Sequence, residues 1–191
     1  VSWIVKIHPA NLVKNARDGV GSEPSEVRAI RSLGEAVPSH VRIIQPDSNI
    51  STLSLYSVMD YCVTVRGTVG IEAASFGVPV FTAGTGRYDR RGFTIDSDTR
   101  REYLDRLRLI HETPVLSADE RDLAERFAYG IFLARPFTLR TVTMEFQRDA
   151  KVSLHSVVRL PKGQSPAAAS DLRLLTDWVR SGAEDFLSPQ P

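Results

Sequence analysis

The hydrophobic and polar positions alternate in short blocks along the chain. Residues 3–7 form an apolar run that stops at His8-Pro9, because Pro9 lacks an N–H and pushes the residue before it out of the helical region. Residues 10–24 hold Asn, Gly, Ser and Pro and read as a long loop. Ser25 is placed to cap a helix to about Ala36, with Val27, Ile30, Leu33 and Val37 on one face. Residues 41–44 predict a second strand closed by Pro46, and Ser51 caps a short helix to about Met59. A third strand over 61–65 leads through Arg66-Gly67-Thr68 into a helix from Val69 to Phe76, which Gly77 ends. A fourth strand covers 78–82. Beyond a Gly/Arg/Tyr loop lie two amphipathic helices, over 97–112 and 117–135, the second opening on the capping-box pattern Ser117-Ala118-Asp119-Glu120. Residues 136–160 fit strand or helix equally, residues 164–169 read as a linker, and residues 172–186 predict a surface helix.

Four apolar strands alternating with helices predict an α/β fold: a Rossmann-like parallel sheet, buried on both faces and flanked by helices. The expected division is a domain over 1–160 and a linker with a C-terminal helix over 161–191, packing back on it. The chain begins directly on a strand and without Met, so it is expected to be cut from a longer protein.

Composition narrows the function classes. The 191 residues are 42% hydrophobic and 25% charged, which is globular, and 24 basic against 23 acidic residues leave a formal charge of +1. Nucleic acid as the main partner would ask for a basic excess. The one cysteine, Cys62, allows no internal disulfide and reads as a small buried thiol. No run approaches the ~18 apolar residues of a membrane span. Neither zinc spacing, a nucleophile elbow, a P-loop nor the GxGxxG fingerprint occurs, and no cofactor or metal is expected.

Three segments carry candidate chemistry. Lys6 and His8 alternate at the end of a strand, where open parallel sheets bind ligands, and offer a cation and a hydrogen-bond donor to a phosphate. The alternative is a His that caps local backbone groups. In Arg66-Gly67-Thr68-Val69-Gly70-Ile71-Glu72, a glycine turn leads into a helix whose free N–H groups favour an anion. Thr68 adds a hydroxyl there, and Glu72 is placed to accept two ribose hydroxyls; alternatively Thr68 caps the helix and Glu72 completes the box or interacts with the helix dipole. In the loop over 84–94, Arg87 and Tyr88 are candidates to clamp an anionic sugar or phosphate, against a solvated loop anchored by Phe93. His40, His111 and His155 read as structural or solvated.

The order of these pieces resembles the bacterial capsule polysaccharide biosynthesis family, which includes retaining β-Kdo transferases that use CMP-Kdo. The resemblance is carried by Lys6-Ile7-His8-Pro9, Asp60-Tyr61-Cys62-Val63-Thr64, and Gly67-Thr68-Val69-Gly70-Ile71-Glu72-Ala73. It continues in Phe76-Gly77-Val78-Pro79-Val80, Gly84, Tyr88 and Gly92-Phe93-Thr94, and spans about residues 3–135. It implies the C-terminal, donor-binding half of a GT-B glycosyltransferase that moves a sugar such as Kdo from a CMP-sugar. His8 is then the catalytic contact to the donor phosphate, supported by Lys6. Gly67, Thr68, Val69 and Gly70 hold that phosphate, Glu72 the ribose, and Gln45 and Pro46 lie near the base. A glycan or glycolipid acceptor sits on an N-terminal domain outside this sequence, and the enzyme is cytoplasmic or peripheral at the inner face of the membrane. The family often has Asn-Ser or Ser-Thr where this chain has Arg66-Gly67-Thr68, which leaves the donor sugar open. A teichoic-acid-type transferase using CDP-glycerol, a UDP-sugar epimerase and a non-catalytic binding module are the alternatives.

Overall fold

The computed structural model describes residues 1–11, 23, 25–32, 34, 37–137, 139–148, 154–159, 169–184 and 186. Most of the loop expected over 10–24 and of the linker over 164–169 lies outside them. The chain forms two compact units, Val1–Ile50 with Leu139–Asp177, and Ser51–Thr138 with Trp178–Pro191. Both mix α-helices with short β-strands, compatible with an α/β fold.

In the first unit, β1 (Trp3–Lys6) and β2 (Val41–Ile44) pair in parallel, with Trp3 opposite Val41 and Lys6 opposite Ile44. One residue of each strand is exposed, Ile4 and its register partner Arg42, while the others are half-buried. No residue of either strand is fully buried, which differs from the expected burial on both faces. Helix α1 (Ser25–Ser32) buries Val27, and Glu26 in its first turn accepts a hydrogen bond from the Asn11 side-chain amide. Residues 33, 35 and 36, expected to extend it, lie outside the described residues. The ambiguous segment resolves as an antiparallel pair, β5 (Thr143–Arg148) with β6 (Leu154–Arg159). Helix α6 (Ser170–Ser181) belongs to this unit up to Asp177. Asp171 in its first turn accepts from the N–H groups of Arg140 (2.7 Å), Thr141 (2.7 Å) and Leu172 (2.9 Å), and from the Thr141 hydroxyl. The Thr141 hydroxyl and these amides hold its carboxyl far below the usual carboxylate range.

Among the described residues, the second unit carries a cluster of buried hydrophobic residues. Ser51 caps α2 (Thr52–Leu55), accepting from Leu53 N. Strand β3 (Cys62–Thr64) runs parallel to β4 (Val80–Thr82), and Ile95 bridges the other edge of β4, also in parallel. All three residues of β4 are buried, as a central strand requires. Helix α3 (Val69–Ser75) packs against α5 (Ala118–Tyr129), where Ala73, Ala74 and Ala124 are fully buried. Side chains that end at Cβ let the two backbones approach closely. Gly77 ends the α3 turn at φ +82°, a left-handed conformation that favours glycine, with its N–H on Ala74 O at 2.8 Å. Phe93 joins the layers, with its ring 6.2 Å from Tyr88 and 5.5 Å from Phe127 between centroids.

Helix α4 (Arg100–Arg108) starts at Thr99, whose hydroxyl accepts from Glu102 N, and closes in a 3-10 turn that buries Ile110. The Ser117/Glu120 capping box is formed in both directions at the start of α5. At Gly130 the helix widens into a π-turn through Ala134, where a continuous α-helix to 135 was expected. Glycine's high conformational freedom makes it a weak point for an i→i−4 ladder. Among the described residues no helix is long and apolar enough to cross a membrane.

Candidate functional site

The two strand ends of the first unit carry one set of predicted residues. Lys6, half-buried, donates from Nζ to the carbonyl of Ile50 at 2.8 Å, which uses one of its three donors. His8 is exposed, and its Nδ1 accepts from the N–H of Ala10 at 3.1 Å. That bond makes Nδ1 the acceptor nitrogen, so in the neutral ring the proton sits on Nε2. Gln45 is exposed and its carbonyl accepts from Ser48 N, while Pro46 is buried.

The second unit brings together two segments that are apart in sequence. Strand β3 ends at Thr64, and the chain turns through Val65-Arg66-Gly67-Thr68 into α3. The carbonyl of Gly67 accepts from Gly70 N at 3.1 Å and from the hydroxyl of Tyr88 at 2.8 Å. Tyr88 comes from the loop after β4, so the glycine turn and the Gly84 loop meet at this bond. Gly70 makes room for it: a Cβ there would lie 2.3 Å from Tyr88 Oη and 2.7 Å from Cζ, well inside contact distance. Tyr88 is 1% exposed, and burial pushes its hydroxyl up to about 12. A neutral, buried hydroxyl aimed at a backbone carbonyl shapes the turn, whereas Arg87 beside it is exposed. Arg66 and Thr68 are exposed on the turn itself, and Val69 is half-buried.

The capping alternative is not what this turn builds. Thr68 occupies the cap position with helical backbone angles and makes no side-chain cap bond. Glu72 is the fourth helical residue, one beyond the capping-box position, which Ile71 fills and buries. Glu72 turns instead to Tyr56, whose hydroxyl donates to its Oε2 at 2.8 Å. The Tyr56 ring is buried and stacks on Phe76 with centroids 5.2 Å apart. Burial, first, and the Glu72 carboxylate raise the Tyr56 hydroxyl well above its ordinary value.

Two residues important to this region escaped sequence reasoning. Tyr56 is the C-cap residue just after the short helix α2, with no pattern linking it to Glu72. Asp96 gathers the loop over 84–96: Oδ1 accepts from the hydroxyls of the buried Thr82 (2.6 Å) and Thr94 (2.9 Å), and Oδ2 from Arg90 N (2.7 Å). Arg90 adopts a left-handed φ of 57° there. Asp89 closes the tip by accepting from Gly86 N at 2.7 Å. The spacing Thr94-Ile95-Asp96 is a faint signal, because short acceptors beside hydroxyl residues favour such local bonds.

Elsewhere, Cys62 is buried and lies beneath this region, its thiol pushed up to about 11 by burial. His40 and His111 are exposed, and the side chain of His155 lies outside the described residues. Among the described residues no group of three or more His, Cys, Asp or Glu side chains is placed to hold a metal ion. Searches against family models, curated proteins and solved structures find no match to this chain.

Proposed function

We propose that the chain is a nucleotide-sugar-binding part of a GT-B-type glycosyltransferase with a Rossmann-like fold, taking a CMP-sugar for surface polysaccharide synthesis. The observation that carries the proposal is the Tyr88–Gly67 bond. It joins the turn over 66–70 to the Gly84 loop, two segments singled out independently for anion chemistry. Thr68 supports the same reading, since its exposed hydroxyl is not consumed as a helix cap. Thr68 and the amides after it then take the donor phosphate, and the half-exposed Glu72 takes the ribose. Within the first unit, Lys6 and His8 offer a cation and an Nε2–H donor suited to a phosphate. The acceptor, a glycan or glycolipid, is assigned to another lobe, and the enzyme to the cytoplasm or the inner membrane face.

Calorimetric titration with CMP, CDP, UMP and UDP tests this, repeated with Thr68→Ala and His8→Ala. The expected result is a preference for CMP that each substitution weakens by about tenfold, the size of one lost charge-assisted hydrogen bond. A preference for UDP would redirect the assignment to a UDP-sugar enzyme. Absence of binding to all four nucleotides would reject the proposal for this chain.

A further inference from the structure

We infer that Tyr56 is a positioning residue that presents the Glu72 carboxylate to the vicinal hydroxyls of a ligand, and so sets a preference for ribose over deoxyribose. The inference rests on the proposed assignment of Glu72 to the ribose. It starts from an asymmetry in the carboxylate. Oε2 is engaged by the Tyr56 hydroxyl at 2.8 Å, a hydrogen bond strengthened by the charge of its acceptor. A glutamate carboxylate otherwise rotates in a broad, roughly two-fold well about its last torsion. Fixing Oε2 fixes the plane, and with it the direction of Oε1. One carboxylate oxygen has two lone pairs, enough for two neighbouring hydroxyls of a diol.

Tyr56 is itself held. Its ring is 4% exposed and stacks on Phe76 at 5.2 Å, and Phe76 follows Glu72 by four residues, on the same side of α3. One side of the helix thus grips the ring through Phe76 and receives its hydroxyl through Glu72. Glu72 remains half-exposed while its partner is buried, so solvent or ligand reaches the carboxylate and not the tyrosine. A buried anchor beneath an accessible acceptor is the arrangement that reduces the ordering cost of binding.

The test measures binding of CMP, deoxy-CMP and dideoxy-CMP to the wild-type chain, Tyr56→Phe and Glu72→Gln. Tyr56→Phe keeps the ring on Phe76 and removes only the hydroxyl. Wild type is expected to favour CMP over dideoxy-CMP by at least about tenfold, and Glu72→Gln to abolish that ratio. Tyr56→Phe should lower the ratio about 5-fold, with dideoxy-CMP affinity unchanged, a discrimination that loss of packing alone would not touch. If Tyr56→Phe fails to fold, Phe76→Ala at an exposed position loosens the same ring and should lower the ratio in the same direction. A ratio unchanged in Tyr56→Phe, or in Phe76→Ala where that variant is the one used, while Glu72→Gln abolishes it, would overturn the inference and leave the ribose assignment standing. A wild type that binds no nucleotide, or binds all three alike, would remove both.

Discussion

The two parallel strand pairs, β1–β2 and β3–β4, look alike in sequence and are built differently. Both are short apolar runs ending near a proline or a glycine turn. In β1–β2 no residue is fully buried, and Ile4, 50% exposed, lies opposite an exposed Arg42. In β4 every residue is buried and both edges are paired, by β3 and by Ile95. An apolar run therefore reports that a strand is compatible with burial, and its neighbours decide how much of it is used. The consequence for function is that the turn after β3 is set on a rigid base, fixed from below by Tyr88, Phe93 and α3. At the end of β1, Lys6 and His8 flank the buried Ile7.

The sharpest way to break the comparison is to empty the core of one pair and trim the surface of the other. Phe93 is 1% exposed and packs between Tyr88 and Phe127. Phe93→Ala should cost about 3–5 kcal/mol by urea unfolding, through lost transfer energy and the cavity left behind. Ile4→Ala, at a half-exposed site, should cost less than about 1 kcal/mol. Amide exchange should show protection lost first in β3 and β4 of the Phe93 variant. Equal costs for the two substitutions would mean that the strand pairs are equally supported.

A smaller but more local effect is expected at Gly70. Its missing Cβ is the space taken by the Tyr88 ring, a rigid and buried group that cannot swing aside. Gly70→Ala should destabilise by about 2–3 kcal/mol, as overpacking does, and break the Tyr88–Gly67 bond. The loss should appear in the Gly67 carbonyl shift by NMR, with the β1–β2 amides unmoved. Tolerance of Gly70→Ala without change at Gly67 would show that Tyr88 does not set the turn.

How much of this was legible follows from the range of each interaction. The Ser117/Glu120 box, the Ser51 cap and the left-handed Gly77 depend on residues within four positions, and the sequence pattern carries them. The bonds from Tyr56 to Glu72 and from Tyr88 to Gly67 span 16 and 21 positions. No periodicity encodes such a pair, because each partner's own neighbourhood is ordinary. The spacing of Glu72 from Thr68 suggests a capping box, and the structure places Glu72 one residue out of phase for it. Thr143 to Arg148 was ambiguous for another reason: a run of mixed residues becomes a strand only when Leu154 to Arg159 lies antiparallel to it. The parallel pairing of β1 with β2 and β3 with β4 was expected only as part of one sheet, and in the described residues the strands pair two by two.

The mildest probe uses pH rather than a change of packing. Cys62, opposite Val80 in the β3–β4 ladder, is 7% exposed, and burial pushes its thiol from 9.0 up to about 11. The folded chain therefore keeps this proton where the unfolded chain has released it. Between pH 9 and 11 the native state binds more protons, so stability falls as pH rises through that window. At pH 8 the thiol is neutral in both states and contributes nothing to this slope. Two pK units correspond to at most about 2–3 kcal/mol for the one group. Cys62→Ala should remove this part of the alkaline loss, so the gap between the variant and wild type should narrow steadily from pH 9 to pH 11 in urea titrations. The buried hydroxyl of Tyr88, pushed up to about 12, adds a second fall that begins near pH 10 and persists in the variant. Parallel stability curves for wild type and Cys62→Ala across this range would mean that the thiol reaches water in the folded state, and that the base beneath the turn is looser than its packing indicates.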